Sequence, residues 1–160
     1  MEKVVWDDRF KIGVEVVDRA HAKLFRIVNK LFDLSQDGST NQAAYKEGIK
    51  YLEGYTMTHF LEEEAYMRSI RYGGYAEHKR IHDNFRNKTL VSLKRDLELS
   101  GYSLAAIQRF VGIANRWLSE HIMLEDQAIV GRAVRQKKRD RSSQIEIISR
   151  TVGRAVHDGL

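Results

Sequence analysis

The 160-residue chain contains no cysteine and no proline. Without thiols it can form no disulfide, no thiolate zinc site and no iron–sulfur cluster, so any metal must be held by nitrogen and oxygen. Without proline nothing forces a break in a helix, and long unbroken helices are permitted. No apolar run is long enough to span a bilayer, and the N-terminal stretch MEKVVWDDRFKIGVEV lacks the apolar core of a signal peptide. A soluble, cytoplasmic protein is expected. Charge imbalance is also missing from most of the chain, despite a formal net charge of +5. The whole surplus lies in residues 131–160, and the first 130 residues balance. An electrostatic partner is therefore expected at the tail, and nucleic acid is not expected at the remainder.

What is present repeats with helical period. Apolar residues recur three and four apart in successive segments. The first follows Asp18, a candidate N-cap, and runs to about Gln36 with His21, Leu24, Phe25, Val28, Leu31 and Phe32 on its stripe. After the loop QDGSTN, the second spans about Gln42 to Arg68, striped by Leu52, Tyr55, His59, Glu63 and Met67. Gly73-Gly74 breaks the pattern. The third segment spans about Tyr75 to Leu99 and aligns His78, Ile81, His82, Phe85 and Thr89. Ser103 can cap a fourth, which carries Ile107, Phe110, Val111, Ala114, Leu118, His121 and Ile122. Short connections favour antiparallel neighbours, so the expected fold is all-α, an up-down-up-down four-helix bundle over residues 1–130. Residues 1–17 read as an extended arm that packs Trp6, and Val14 or Val16, on the bundle.

Five of the six histidines, His21, His59, His78, His82 and His121, lie on these stripes. A lone histidine there is ordinarily a core imidazole bonded to a backbone carbonyl. Here every helix repeats the pattern, and two carboxylates, Glu63 and Asp126, join it. Buried carboxylates without partners are costly, and cations between these groups remove the cost. His59 and Glu63 are four residues apart, as are His78 and His82, which sets each pair on one helix face. Imidazole and carboxylate together suit iron or another first-row transition metal. If two octahedral ions share both carboxylates and one oxo or hydroxo group, the histidines leave a single position open. A small diatomic ligand needs such a vacancy. Asp126 is the irregular member, because five residues from His121 is roughly 140° around an ideal helix. A bridging carboxylate can reach sideways. Glu63 is preferred over Glu62 because it continues the line of Leu52, Tyr55 and Met67, leaving Glu62 and Glu64 mostly solvated.

These residues resemble the hemerythrin family, and within it the bacterial hemerythrins. The motif stands as His21, then His59-Phe60-Leu61-Glu62-Glu63, then His78-x-x-x-His82, then His121-Ile122-x-x-x-Asp126. Trp6, Asp18 and Trp117-Leu118 also match the family's pattern, and the resemblance covers about residues 1–130. It implies two iron ions in an oxo- or hydroxo-bridged di-iron centre. His78, His82 and His121 would hold one iron, His21 and His59 the other, with Glu63 and Asp126 bridging. It implies reversible dioxygen binding, for carriage, storage or delivery, at the iron of His21 and His59. Phe60, Trp117, Leu118 and Ile122 are candidates for an apolar ligand pocket, since such a shell limits solvent access to a metal.

An enzyme is the less favoured reading. Ferritin-like di-iron oxidases use paired Glu-x-x-His motifs, and this chain has none. A sensor that reports dioxygen or redox state through the tail is the alternative to a carrier. The tail, residues 131–160, begins with the basic run RAVRQKKRDR and continues with Ile145, Ile148, Val152 and Val156 at helical spacing. Gly153 weakens that helix by roughly 1 kcal/mol relative to alanine, so its stripe needs a surface to form. The bundle, a second copy of the chain, an acidic partner or an anionic membrane would serve. His157 is read as exposed rather than as a ligand.

Overall fold

The computed structural model describes residues 3–36, 41–131 and 139. The tail segment beyond 139, its apolar stripe and His157 lie outside the described residues. Four helices form the body: α1 (Glu15–Gln36), α2 (Gln42–Ser69), α3 (residues 75–99) and α4 (Leu104–His121). Each packs on the next, and α4 returns to α1, which closes the ring of an all-α four-helix bundle. Among the described residues there is no strand, and no helix is long and apolar enough to cross a membrane.

Most residues of the expected stripes form the core, while Tyr55, Ile81 and Thr89 are only half-buried. Leu24, Phe25, Val28 and Leu31 of α1 meet Leu52 and Phe60 of α2 and Ile107, Phe110 and Val111 of α4, all buried. Asn41 and Ser103 cap α2 and α4 by accepting from the amides of Ala44 (3.1 Å) and Ala106 (3.3 Å). Gly101 turns the chain into α4 at φ +59°, a conformation that costs a residue with a Cβ.

The expected start of α1 needs correction. The helix begins at Glu15, and Asp18 lies within its first turn. Its carboxylate instead accepts from the amides of Ile12 (2.8 Å) and Gly13 (3.1 Å), tying the arm to the helix. The arm packs Trp6 against the core as expected, with Val14 half-buried. Val16 is exposed, and Phe10, Ile12 and Val17 are the buried residues. Trp6 stacks on Phe10 at 5.9 Å and lies against Phe25 and His21. Phe25→Ala would remove the ring that Trp6 and Phe10 both touch. Its expected cost is about 3–5 kcal/mol in denaturant unfolding; a loss under about 1 kcal/mol would mean that the arm is not held there.

α3 is not one regular helix. Two α-helical stretches, Tyr75–Asn84 and Leu90–Leu99, are joined by a π-helical turn at Phe85–Thr89. A second π turn, Ile122–Asp126, continues α4. In a π turn the backbone bonds reach to the fifth residue, so residues five apart come onto one face. Both turns connect such a buried pair, Phe85 with Leu90 and His121 with Asp126. The first keeps the leucines of α3 on the core after Phe85. The second aims Asp126 inward.

Candidate metal centre

All seven predicted residues converge in the bundle interior, and each is at most 4 % exposed. α1 contributes His21, α2 His59 and Glu63, α3 His78 and His82, and α4 with its π turn His121 and Asp126. Every imidazole turns Nε2 toward the others. His21 and His59 approach to 3.1 Å, His78 and His82 to 3.2 Å, and His82 and His121 to 3.0 Å. Glu63 Oε2 lies 3.4 Å from His78 and 3.3 Å from His82. Asp126 presents Oδ1 to His121 (3.0 Å) and His78 (3.3 Å), and Oδ2 to His21 (3.1 Å).

Two overlapping groups of ligand atoms result, one from Glu63, His78, His82 and His121, the other from His21, His59, Glu63 and Asp126. Within each, the atoms lie within 4.8 Å of one another, close enough to surround one cation. The chemistry of the set fits metal better than hydrogen bonding. Two imidazole nitrogens that face each other can share only one proton, and the oxygens of Glu63 and Asp126 have no well-aligned donor. Cations between the groups would satisfy nitrogen and oxygen together.

Electrostatics of the metal-free cluster favour the binding forms. Burial and the neighbouring Asp126 push Glu63 up, but contacts with His78 and His82 outweigh them and hold its carboxyl at about 2. Asp126, despite burial, is held well below the usual carboxylate range by His121 and the other facing histidines. Burial drives His59 down to about 4, leaving it neutral with a lone pair to donate. His78 is the exception: burial lowers it, yet Asp126 and Glu63 together raise it to about 9. In the metal-free protein a proton on His78 supplies the positive charge that a cation would bring.

Aromatic rings hold the imidazoles from their faces. Phe60 lies parallel to His82 at 3.9 Å, Trp117 parallel to His121 at 4.4 Å, and Phe85 stacks on Trp117 at 4.0 Å. A narrow cavity of about 20 Å³ adjoins the cluster and reaches both groups, through His59 and His121. Phe60, Trp117 and Leu118 line it, while Ile122 is fully buried but does not. Among the described residues Glu53 is the one carboxylate on its wall, and Lys94 holds it at 2.9 Å from the neighbouring helix.

Glu64 corrects the sequence reading. Expected to be mostly solvated, it is 3 % exposed, 3.1 Å from His82 Nδ1, and ion-paired to Arg86. One residue beyond Glu63 turns 100° around α2 and faces α3 instead of the cluster. The only signal in the sequence was Arg86, a basic residue four beyond His82 and so on its face.

Fold and site together define a helical-bundle protein built around a buried histidine–carboxylate cluster with the donor set of a cation site. Residues 12–133 match the family described as "Hemerythrin HHE cation binding domain", and the chain belongs to the hemerythrin family. A bacteriohemerythrin of Pseudomonas aeruginosa is 32 % identical over 130 residues, 81 % of either chain. One of Clostridium acetobutylicum is 33 % identical over 130 residues, 79 % of this chain and 98 % of the relative. A hemerythrin of Sipunculus nudus is 30 % identical over 122 residues, 76 % of this chain and 87 % of its own.

Proposed function

We propose that this protein binds dioxygen reversibly at a non-haem di-iron centre and acts as a carrier or store rather than as an enzyme. The observation that carries the proposal is the pair of ligand groups sharing Glu63 and meeting at Asp126, beside an apolar cavity. His78, His82 and His121 would hold one iron and His21 and His59 the other, with Glu63 and Asp126 between them. The names of the relatives, hemerythrin and bacteriohemerythrin, support the same assignment. Bound iron would supply the electrons and the open coordination position that dioxygen requires.

The remaining residues exclude water and limit what can enter. A volume of about 20 Å³ admits one water-sized molecule or a diatomic, whereas pockets for organic ligands span roughly 300–1,000 Å³. Phe60, Trp117 and Leu118 would form the dry wall, with Ile122 packed behind them. Among the described residues, the polar groups on that wall other than the cluster imidazoles His59 and His121 are already engaged. Thr56 donates to the carbonyl of Leu52 at 2.8 Å, and Glu53 is held by Lys94. That supports ligand binding over substrate turnover.

The test is to cycle the reduced, iron-loaded protein between air and argon. A visible charge-transfer band should appear with oxygen and fade without it over several cycles. Direct and irreversible oxidation in every attempt would refute the carrier reading.

A further inference from the structure

We infer that Glu64 is a positioning residue for the ion held by His82, with Arg86 as its counter-ion; the inference rests on the di-iron reading above. All five cluster imidazoles turn Nε2 inward, so the outward Nδ1 is the atom by which the protein can grip each ring. His82 is the one whose Nδ1 meets a carboxylate, Glu64 Oε1 at 3.1 Å. The Nδ1 atoms of His21, His59, His78 and His121 are buried with no partner among the described residues. The contact joins α2 to α3, so it is a tertiary feature and not a by-product of one helix.

Burying a carboxylate is costly without a counter-charge. Arg86 provides it, meeting the same Glu64 oxygen while its Nε lies 3.1 Å from Asp83. Its guanidinium also sits 5.6 Å from the Phe60 ring that covers the face of His82. His82 is thus fixed at its edge by Glu64 and on its face by Phe60. The Glu64 carboxylate oxygen accepts the Nδ1–H, which leaves the Nε2 lone pair directed at the cluster and makes the imidazole a stronger donor. The two ions are then unequal. The one held by His82 is bound more tightly than the one held by His21 and His59, whose outward nitrogens have no such partner.

The experiment titrates metal-free protein with Co(II) against a competing chelator, for wild type, Glu64→Gln, Glu64→Asp and the exposed control Glu62→Gln. Wild type should take up two Co(II). Glu64→Gln should weaken one of them by roughly 10–100-fold and leave the other within about threefold. Glu64→Asp should recover part of that loss, and Glu62→Gln should match wild type. In nitrogen NMR of metal-free wild type, His82 should carry its proton on Nδ1, a readout that needs no variant and survives a failure of Glu64→Gln to fold. Wild-type affinities in Glu64→Gln, equal weakening of both ions, or a bare Nδ1 on His82 would each overturn the positioning role. Uptake of fewer than two Co(II) by wild type would instead overturn the di-iron reading itself, and this role with it.

Discussion

Replacing Asp126 with alanine is expected to lower iron content from two per chain to well below one. The carboxylate spans both ligand groups, one oxygen facing His121 and His78 and the other facing His21. On the proposed di-iron reading, its loss would take a ligand from both ions. His21→Ala, by contrast, touches one group and should leave about one iron. Affinity changes of 10–100-fold follow even when a partner of a ligand is lost, so loss of a shared ligand should exceed that range. The metal-free fold is weakened at the same time, because Asp126 is 0 % exposed and its loss leaves the facing histidines without their counter-charge. Iron analysis beside thermal melts of the metal-free proteins separates the two effects. Retention of two irons by Asp126→Ala would exclude the bridging role, and loss of one would confine Asp126 to a single ion.

Stripping metal from the wild type is expected to lower Tm by roughly 6–20 °C. Glu63 and Asp126 are fully buried, and without cations they depend on imperfectly aligned histidines. One proton on His78 faces two carboxylates, which leaves one buried charge uncompensated at roughly 3–5 kcal/mol, and each kcal/mol shifts Tm by about 2–4 °C in a domain of this size. The metal-free form should also respond to pH in a defined direction. His78 is raised to about 9 by Asp126 and Glu63, against the effect of burial. A raised histidine contributes stability fully below its ordinary 6.5, and that contribution is lost as pH rises through about 9. Up to about 3 kcal/mol should therefore disappear across that window in the metal-free protein. The loaded protein should be flatter there, because cations held by the cluster would take the place of that proton. Calorimetry at several pH values on both forms checks this; a metal-free Tm equal to the loaded one would mean that the cluster holds no cation tightly.

The helices were legible because their apolar residues recur at 3.6-residue spacing and no proline interrupts them. The histidines stood out for the complementary reason that polar residues repeat on faces that must be buried. Where legibility ended, a local rule met a tertiary demand. Asp18 has the composition of a cap, yet the arm's amides at Ile12 and Gly13 take its carboxylate, and the helix begins earlier. Val16 looked apolar enough to pack, but the phase of α1 gives the buried position to Val17.

Asp126 shows the division most clearly. Five residues after His121, it falls off the ideal helical face, and sequence spacing alone left only a sideways reach. The π turn at Ile122–Asp126 places both residues inward, at the cost of a locally irregular backbone that the surrounding contacts sustain. Glu64 shows the opposite case, a residue whose local pattern reads as surface until α3 packs against it and brings His82 and Arg86. The sequence by itself determined the class of fold, the residue types of the cluster and their order, because periodicity and composition are local properties. The tertiary structure alone decided which atoms of those residues meet, which carboxylate grips an imidazole from behind, and how little space adjoins them. Those depend on the relative position of helices far apart in the chain, and no spacing along one helix encodes it.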